Sequence, residues 1–530
     1  MEEAFFIKMK NIENCCNITS LIRNSIEKEY IALVSSYEDH LIYVSIYEYQ
    51  SKNTYFHTVV SDIQGFIDGI AKIFDSKIKA VILNVYGFSI EKFPNNIQFC
   101  KSLKAKFDAI KIPYYFIYDY DFLTTKMLIA ANISVDFGEF ILVLLIADKR
   151  VTMIELKYTK AGYEFVRQQT MDESDEELGE KILGANELQK IVFCSDKPDK
   201  PLIRTLKNIL KAESKKFVFV NDMRNDKYNG DGVIEEAKWI FDKKYTKFHV
   251  LPTIVRAYVI GYECGEEEVA IFMEKNIVAL PYEKNVIASK SSFNHFIGYY
   301  DLENEKACRL ETFTLGDDNY HEYEITLKVD VHNQPSYAVR GIKVQQIIDF
   351  PSLCKENMDN DNFEKFGRFP FIGFYGNRSF ICIWDGTKEE YKFLDNWGGQ
   401  WGKPMHIAFD KEKPYFDLFE VMIRTEEELQ EYEHPSFTIT KDDENPVLLE
   451  FDTFDSTKKA ASPAFLLAFL LKKHFKAIKK ETGEKPNGLG FCILTDLCWE
   501  DIELAYNCLD DACNMLKFGN YTFFDWRFKV

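Results

Sequence analysis

The sequence predicts a multidomain protein that combines α/β domains with one all-β domain. Three observations lead to this prediction. The chain has 530 residues, which is too long for one ordinary core. Strand and helix patterns alternate in the first half and again near the end, whereas residues from about 250 to 339 show strand patterns only. Apolar residues make up 46% of the chain and charged residues 28%, so we expect almost all of it to fold.

The N-terminal part begins with a β-hairpin. Two β-rich runs, EYIALVSSY and HLIYVSIYEY, are joined by a predicted turn at Glu38 and Asp39. A helical pattern (DIQGFIDGIAKIF), a strand (KAVILNVYGF), a helix (NIQFCKSLKAKFDAI) and a strand (YYFIYDY) follow in that order. This alternation predicts a mainly parallel sheet with covering helices.

A second α/β lobe is predicted from Ile133 onward. The stretch ISVDFGEFILVLLIADKRVTMIEL indicates an apolar strand, a tight turn at Asp136 to Glu139 and two further strands. An acidic run, MDESDEELGE, is most simply a solvated loop or the start of a helix. From Leu188 the alternation resumes with KIVFCS, PLIRTLKNILKA, KFVFVN and DGVIEEAKWIFD, which closes the lobe.

The all-β segment and the C-terminal α/β segment come next. Six alternating runs between Val250 and Val339 predict strands, and a polar link follows at about 352 to 368. The last part contains strands FPFIGFYG, SFICIWDG and MHIAFD, a helix in SPAFLLAFLLKKHFKAIKKETG, a strand LGFCILTD and a helix EDIELAYNCLDDACNML. Hairpin, helix, strand, helix and strand occur in the same order in 29–119 and in 370–525, which indicates a diverged internal duplication.

Charge and hydropathy disfavour several classes of function. The net charge is -19 and no dense Lys/Arg stripe is present, so nucleic acid is disfavoured as a partner. We find no secretory leader and no window of about 18 apolar residues, and therefore expect no membrane partner. The cytoplasm is the expected location, with the nucleus left open.

Three further features favour structural interpretations. The twelve cysteines include no CxxC pair and no histidine at zinc-finger spacing, so we interpret them as buried thiols and expect no metal. The segment GGQWGKP is one residue short of a phosphate-binding loop and has Pro404 at the Ser/Thr position, so we predict a plain loop. The helix at 463–481 could lie on a membrane or a partner, but core packing is favoured.

Several segments together resemble the DnaK-type seventy-kilodalton heat-shock chaperones. VLPTIVRAYVIGYECGEEEVAIFMEKNIVALPYEKN is similar to the start of the family's peptide-gripping β-domain, and ITLKVDVHNQPSYAV is similar to its later strand pair around Asp330 and Asn333. KAVILNVYGF, NGDGVIEEAKWI and IGFYGNRSFICIWD resemble a strand, a helix and the first phosphate hairpin of the family's ATPase domain. The resemblance lies in the order of elements more than in any single motif.

The resemblance implies a specific domain plan, an actin-like (ribonuclease H-like) two-lobed ATPase domain followed by a β-sandwich and a partial repeat of one lobe. The ATPase domain is expected at 1–247, with lobe I at 25–132 and lobe II at 133–247. The β-sandwich substrate-binding-like domain is expected at 248–350, a linker at 351–368, and the second, partial actin-like lobe at 369–530.

The nucleotide motifs implied by the family are degenerate here. ATP is held in this fold by Gly-rich turns, because a Cβ would block the approach of phosphate or forbid positive φ. Asp136 and Gly138 survive as a vestigial phosphate turn, but Glu139 and Phe140 replace the glycines that follow. The carboxylate of Glu139 would repel a triphosphate by about 1 kcal/mol or more once water is partly excluded.

The other nucleotide positions are also altered. The expected Gly-Gly adenosine turn reads Phe193-Cys194, and the N-terminal hairpin has no glycine. The C-terminal copy keeps Gly373 and Gly376, but the aspartate expected between them is either replaced by Tyr375 or deleted. A catalytic carboxylate could persist only out of register, at Asp119 or Asp121. Residues 155–187 are too few to form the outer subdomain of lobe II, and the linker before the β-domain has Lys243 and Lys244 where the family has an acidic, leucine-rich strand.

These observations lead to three hypotheses. The first is a catalytically inactive heat-shock-chaperone-like protein that binds another protein in a regulatory or scaffold role, without ATP or Mg²⁺. The alternative is an ATP-binding chaperone or other actin-like ATPase or kinase with a non-standard nucleotide site, and the third is a purely structural scaffold. If the β-domain binds peptide, Phe293, Phe296 and Tyr299 are the candidate contacts, with sandwich core as their competing interpretation. Homo-oligomerisation through the C-terminal lobe is left open.

Overall fold

The computed structural model describes most of the chain. The described residues are 28–37, 41–74, 76–88, 92–175, 178–195, 200–221, 227–264, 267–274, 277–301, 306–316, 319–358, 367–407, 416–430, 437–442, 445–453 and 457–527. The predicted turn at Glu38 and Asp39 lies outside them. The chain divides into two compact units, one with residues 1–256, 275–284 and 327–336, the other with 257–274, 285–326 and 337–530. The domain boundaries predicted above stay a prediction.

The first unit contains two five-stranded mixed sheets. Its strands are β1 (Tyr30–Tyr37), β2 (Leu41–Glu48), β3 (Thr54–Val60), β4 (Ile78–Asn84), β5 (Tyr114–Phe116), β6 (Phe140–Ile146), β7 (Arg150–Thr159), β8 (Gly162–Asp172), β9 (Leu188–Ser195) and β10 (Phe217–Asn221). Its helices are α1 (Ile63–Ile73), α2 (Asn96–Ile110), α3 (Asp119–Ala130), α4 (Leu178–Leu183), α5 (Pro201–Ile209) and α6 (Lys227–Phe241). A 3-10 helix covers Lys211–Lys216.

Local sequence explains where these helices begin and end. Asp62 accepts a hydrogen bond from the Gly65 N–H at 2.9 Å at the start of α1, and Asn95 accepts one from the Gln98 N–H at 3.0 Å at the start of α2. The bounds of α2 agree with the predicted pattern. Two predictions for this unit are wrong: the run YYFIYDY holds a strand of three residues only, after which α3 begins, and the residues just before Asp136 form no strand.

All-β structure follows, as predicted. The strands are β11 (Ala257–Cys264), β12 (Glu267–Met273), β13 (Tyr282–Ser289), β14 (Ser291–Asp301), β15 (Lys306–Leu315), β16 (Glu322–Val329) and β17 (Pro335–Ile342). They form a four-stranded sheet in the order β12-β11-β14-β15 and a three-stranded sheet in the order β13-β16-β17. Residues 275–284 and 327–336 of this part belong to the first unit, and its other residues belong to the second.

The C-terminal part returns to α/β structure. Its strands are β18 (Phe371–Tyr375), β19 (Arg378–Asp385), β20 (Glu390–Phe393), β21 (Lys403–Pro404), β22 (His406–Ile407), β23 (Phe416–Asp417), β24 (Thr438–Thr440), β25 (Leu448–Asp452), β26 (Lys458–Ala461), β27 (Leu489–Ile493) and β28 (Tyr521–Phe523). Its helices are α7 (Gln345–Ile348), α8 (Phe350–Met358), α9 (Leu418–Met422), α10 (Glu426–Gln430), α11 (Pro463–Thr482) and α12 (Trp499–Met515). Helix α8 occupies the first half of the predicted linker and buries Phe350, Leu353, Cys354 and Met358.

The same strand order occurs in three sheets. Numbered within each sheet along the chain, the strands lie in the order 3-2-1-4-5 in β3-β2-β1-β4-β5, in β8-β7-β6-β9-β10 and in β20-β19-β18-β27-β28. The third sheet has a sixth strand, the short β21, which pairs with β19 and is left out of this numbering. In each sheet the first three strands are antiparallel, the fourth is parallel to the first, and the fifth is parallel to the fourth. The sheets of 29–119 and 370–525 therefore have the same strand order, which the sheet of 140–221 shares, although strands β21 to β26 and helices α9 and α10 come between β20 and α11 in the C-terminal part. The internal duplication stays a prediction.

Helix α11 covers the C-terminal sheet with one face. Ser462 caps its first turn by accepting the Phe465 N–H at 3.3 Å, and Gly483 ends it with a φ of 84°. The buried residues of the helix include Leu467, Leu471 and His474. Core packing of this helix is thus confirmed for its inner face. Among the described helices, none combines the length and apolar character that a membrane span requires.

Candidate functional site

The predicted phosphate turn at Asp136 to Glu139 is closed by hydrogen bonds within the chain. The Glu139 carboxylate folds back and accepts the Asp136 N–H at 2.7 Å, and the Glu139 N–H donates to the Asp136 carbonyl at 3.1 Å. The Gly138 N–H donates to the Tyr158 carbonyl at 2.7 Å. A phosphate-binding turn needs backbone N–H groups directed at the ligand. Three such groups here already have partners from the protein.

Gly138 retains a conformational role in this turn. Its φ is 93°, and a Cβ placed on it would meet no atom within 4 Å. The glycine therefore serves the backbone conformation and not the close approach of a neighbour. Phe137 beside it is 60% exposed, and its ring lies 5.0 Å from the Tyr158 ring. The turn is thus an exposed connection between α3 and β6 that an aromatic pair supports.

The second pair of vestigial glycines serves packing and turn geometry. Gly373 lies in β18, where a Cβ would come within 2.8 Å of the Phe350 ring and 2.9 Å of Leu494. Phe350 is fully buried, so its ring occupies the space that the missing side chain leaves. Gly376 has a φ of 48° in the two-residue turn between β18 and β19, and its N–H donates to Thr495 Oγ1 at 2.9 Å.

The predicted adenosine position is filled by side chains. Phe193 and Cys194 lie in β9 with 1% and 2% of their surface exposed. The Phe193 ring packs against Phe217 at 4.9 Å and Phe219 at 5.0 Å between ring centroids. The chain here continues as a strand to Ser195, and the four residues after it lie outside the described part. The aromatic ring belongs to the core of this sheet.

The two candidate carboxylates have different environments. Asp119 lies in the first turn of α3 and accepts a hydrogen bond from Asn84 Nδ2 at 2.6 Å. Asp121 is 1% exposed, and its two oxygens accept the Thr253 N–H at 3.2 Å and the Thr253 hydroxyl at 3.0 Å. Burial raises the pKa of the Asp121 carboxyl to about 8, and the nearby Glu236 adds to the rise. Asp121 thus anchors another segment of the chain.

That segment, residues 246–256, is called the connecting segment, and it is fixed at several points within the first unit. The Tyr163 N–H donates to the His249 carbonyl and the Leu251 N–H donates to the Tyr163 carbonyl, both at 2.8 Å. Asn333 Nδ2 donates to the Thr253 carbonyl at 2.9 Å, and its oxygen accepts the Val255 N–H at 3.1 Å. The segment is therefore held by backbone and side-chain bonds before the all-β part begins.

A buried polar group lies beside the connecting segment. His249 Nδ1 is 3.0 Å from Glu236 Oε2, and the other Glu236 oxygen accepts the Thr125 hydroxyl at 2.9 Å. The His249 ring stacks on Trp239 with 3.9 Å between ring centroids. His249 and Glu236 are each 1% exposed in their side chains. The sequence did not single out these residues, because a lone histidine and a helical glutamate carry no pattern that predicts burial together.

Lys243 of the predicted linker packs on the same aromatic residue. Its Nζ lies 3.1 Å from the centroid of the Trp239 ring, a cation–π contact. Burial lowers the pKa of Lys243 to about 8, whereas the charge of Glu236 acts in the opposite direction. The ammonium group of Lys243, just before the connecting segment, thus packs against the ring of Trp239.

The three candidate peptide contacts of the all-β part do not lie on one face. Strand β14 pairs regularly with β11 from His295 to Tyr300, so Phe296 and Tyr299 point to opposite sides. Phe296 is 1% exposed and lies beneath the Arg309 guanidinium, which is 5.3 Å from its ring centroid. Phe293 and Tyr299 are partly exposed. Phe296 therefore has the surroundings of a core residue, as the competing interpretation expected.

Phe293 begins a row of stacked aromatic rings. It stacks on Tyr262 at 5.0 Å, and Tyr262 lies 5.7 Å from His295. The row continues from His295 to Phe313 at 5.9 Å and from Phe313 to Tyr337 at 5.2 Å, each between ring centroids. Except for the buried His295, these rings are partly exposed. This aromatic row is a surface on which an extended apolar chain could pack.

Neither a metal site in the described residues nor a comparison with known proteins identifies the chain. In the described residues, no group of three or more His, Cys, Asp and Glu side chains has the geometry of a metal site. The segment GGQWGKP contains one 3-10 turn, Gly399–Trp401, and the short strand β21, so it is not a plain loop throughout. No protein-family model matches the sequence, and no curated protein matches it either.

Proposed function

We propose that this chain is a heat-shock-chaperone-like protein that does not hydrolyse ATP and acts by binding another protein in a regulatory or scaffold role. The observation that carries the proposal is the turn at Asp136 to Glu139. Its N–H groups bind its own carboxylate and neighbouring carbonyls, so a phosphate would have to break these bonds and approach a negative charge.

The strand order supports the family part of the proposal. An actin-like lobe is built on a mixed five-stranded sheet in the order 3-2-1-4-5, and three sheets of this chain have that order. We therefore assign lobe I to the first sheet, lobe II to the second, and the partial C-terminal lobe to the third. The all-β part between them would correspond to the peptide-binding β-sandwich.

The loss of ATP use is supported by three further observations. Phe193, at the position of an expected glycine, is a core residue of its sheet, the ring of Phe350 covers Gly373, and Asp121 is hydrogen-bonded to Thr253. Phosphoryl transfer requires a positioned metal and positioned charges. We infer that a chain whose described phosphate turn is closed by its own hydrogen bonds, and whose candidate carboxylate Asp121 is buried against Thr253, cannot accelerate it.

Calorimetric titration of the full-length protein with Mg-ATP and Mg-ADP tests this part of the proposal. We expect no binding with a dissociation constant of about 1 mM or tighter, and no release of phosphate. The variant Glu139→Ala, which removes the carboxylate from the turn, should likewise show no turnover because the base pocket is still filled. Binding accompanied by turnover in the natural protein would establish the alternative of an active ATPase.

Peptide binding by the aromatic row tests the second part. The full-length chain is titrated into a fluorescently labelled, extended peptide rich in leucine, and anisotropy is measured. We expect Phe293→Ser to weaken binding about fivefold or more, since an aromatic contact contributes on the order of 1 kcal/mol. Phe137→Ser, which removes an exposed ring in the other unit, is the matched control and should leave binding unchanged. Absence of binding by the natural chain would favour the purely structural scaffold.

A further inference from the structure

The outward face of helix α11 differs in character from the rest of this acidic protein. Phe465 and Phe469, one helical turn apart, are 57% and 51% exposed. Five exposed lysines follow on the same side of the helix and over the next turns, namely Lys472, Lys473, Lys476, Lys479 and Lys480. We call these seven residues the α11 face. At about 1.5 Å per residue the face is about 22 Å long.

The lysines of the α11 face lack acidic partners within the described part of the chain. None of the five forms an ion pair there, although the sequence has 84 acidic residues and a net charge of -19. Lys473 lies over the ring of Phe469, with its Nζ 5.1 Å from the centroid. Lysines in the last turn of a helix are favoured by its dipole, which accounts for Lys479 and Lys480. The three lysines in the middle of the helix have no such explanation.

The inner face of α11 fixes the orientation of the outer one. His474 donates from Nδ1 to the Leu470 carbonyl at 2.8 Å, and its Nε2 lies 2.9 Å from Ser379 Oγ. The same hydroxyl accepts the Trp397 indole N–H at 3.1 Å. With the inner face held in this way, the exposed phenylalanines cannot turn inward, and they stay in contact with water unless a partner covers them.

We propose that the α11 face binds an acidic segment of a partner protein that carries apolar side chains at one end. The two phenylalanine rings would pack against the apolar end, and the lysines would pair with successive carboxylates along the segment. The apolar part supplies most of the affinity and the charges set orientation and register. The proposal rests on the proposed function in that both concern a protein partner, but it uses a different surface and needs no nucleotide.

A protein segment fits this face better than an anionic membrane. Membrane-bound amphipathic helices bury a continuous apolar face between flanking charges. In α11 the apolar residues that could enter a bilayer are limited to two rings at one end, since the other apolar residues pack in the core.

Binding of a labelled peptide to the full-length protein tests the proposal. The probe is a fluorescein-labelled synthetic peptide with two leucines followed by a run of glutamates, and anisotropy is measured at low and high salt. We expect saturable binding that weakens about tenfold or more between about 50 and 500 mM salt, because the charges are exposed. The combined variant Lys472→Glu, Lys473→Glu and Lys476→Glu should weaken it about tenfold or more.

Two sets of variants control for net charge and for folding. Lys149→Glu, Lys211→Glu and Lys215→Glu change the charge equally at exposed lysines of the other unit, and should leave peptide binding within about twofold of the natural protein. Phe465→Ser with Phe469→Ser keeps every lysine and should also weaken binding. Each variant is first shown to keep the thermal unfolding midpoint of the natural protein.

The possible outcomes separate this inference from the proposed function. Equal losses in the test and control lysine variants, or no binding at all, overturn the inference. Binding to vesicles that contain phosphatidylserine, without binding to the peptide, also overturns it and identifies a membrane surface instead. ATP turnover in the nucleotide titration would refute the proposed function but would leave a positive result for the α11 face intact.

Discussion

The buried carboxyl of Asp121 should make the stability of the first unit decrease as pH rises. Both of its oxygens bond to Thr253, and no lysine or arginine is among the groups that shift its pKa. The change we propose is Asp121→Asn. An asparagine oxygen can accept the Thr253 N–H, and its NH₂ group can donate to the Thr253 hydroxyl, so the geometry of a protonated carboxyl is kept.

The size and sign of the effect follow from linkage. Burial raises the pKa of Asp121 from an ordinary value of 3.8 to about 8 in the folded protein. The folded state therefore holds a proton that the unfolded state releases between these two values. The stabilisation that the protonated Asp121 carboxyl gives the folded state is fully present below about pH 4 and is lost as pH rises through about 8. Each pH unit in this window corresponds to about 1.4 kcal/mol, so from pH 5 to pH 8 the loss reaches about 4 kcal/mol.

The assay compares the natural protein and the variant at the same pH. Urea unfolding is combined with hydrogen exchange of peptides that include Thr253, which gives the free energy of opening of the first unit. The intrinsic exchange rate at a given pH is the same in both proteins, so it cancels when they are compared. We expect the variant to become the more stable protein as pH rises, with the difference growing by about 4 kcal/mol from pH 5 to pH 8 and levelling above it.

An exposed carboxyl provides the control. Hydrogen bonds from Gln64 and Lys106 lower the pKa of Asp68, so the stability it contributes is lost only as pH falls below its ordinary range. Asp68→Asn should therefore give a difference that stays constant between pH 5 and pH 9. If the Asp121→Asn curve also runs parallel to that of the natural protein, the carboxyl is ionised and solvated in the folded state, and the reasoning about its burial is refuted.

Two further substitutions test close packing, each by chemical unfolding. Gly230→Ala should destabilise the first unit by about 1 to 3 kcal/mol although alanine favours helix, because its Cβ would lie 2.0 Å from the Lys52 carbonyl oxygen; a gain in stability would contradict this contact. Ser379→Ala should cost about 2 to 3 kcal/mol, since it leaves the Trp397 indole N–H and His474 Nε2 buried without partners. Burial lowers the pKa of His474 to about 4, so this loss should not change between pH 6 and pH 8.

The sequence was sufficient for much of the local structure. The apolar positions of NIQFCKSLKAKFDAI recur at helical spacing and predict α2 with the bounds that the structure has, where Asn95 caps its first turn. The alternating runs of the all-β part were predicted for the same kind of reason. Helix α3 was missed because YYFIYDY reads as a strand by composition, and the aspartates at its start, which favour a helical first turn, were interpreted as candidate catalytic groups.

The roles of the polar residues and the glycines became visible only in the fold. The resemblance implies a glycine at Glu139, but the hydrogen bond that turns its carboxylate onto the Asp136 N–H depends on the conformation of the turn. Gly373 looks like part of a phosphate motif until Phe350, distant in sequence, is seen to occupy its space. Hydrophobic periodicity and composition indicate the secondary structure that each segment favours. Contacts such as these depend on which distant residues the fold brings together.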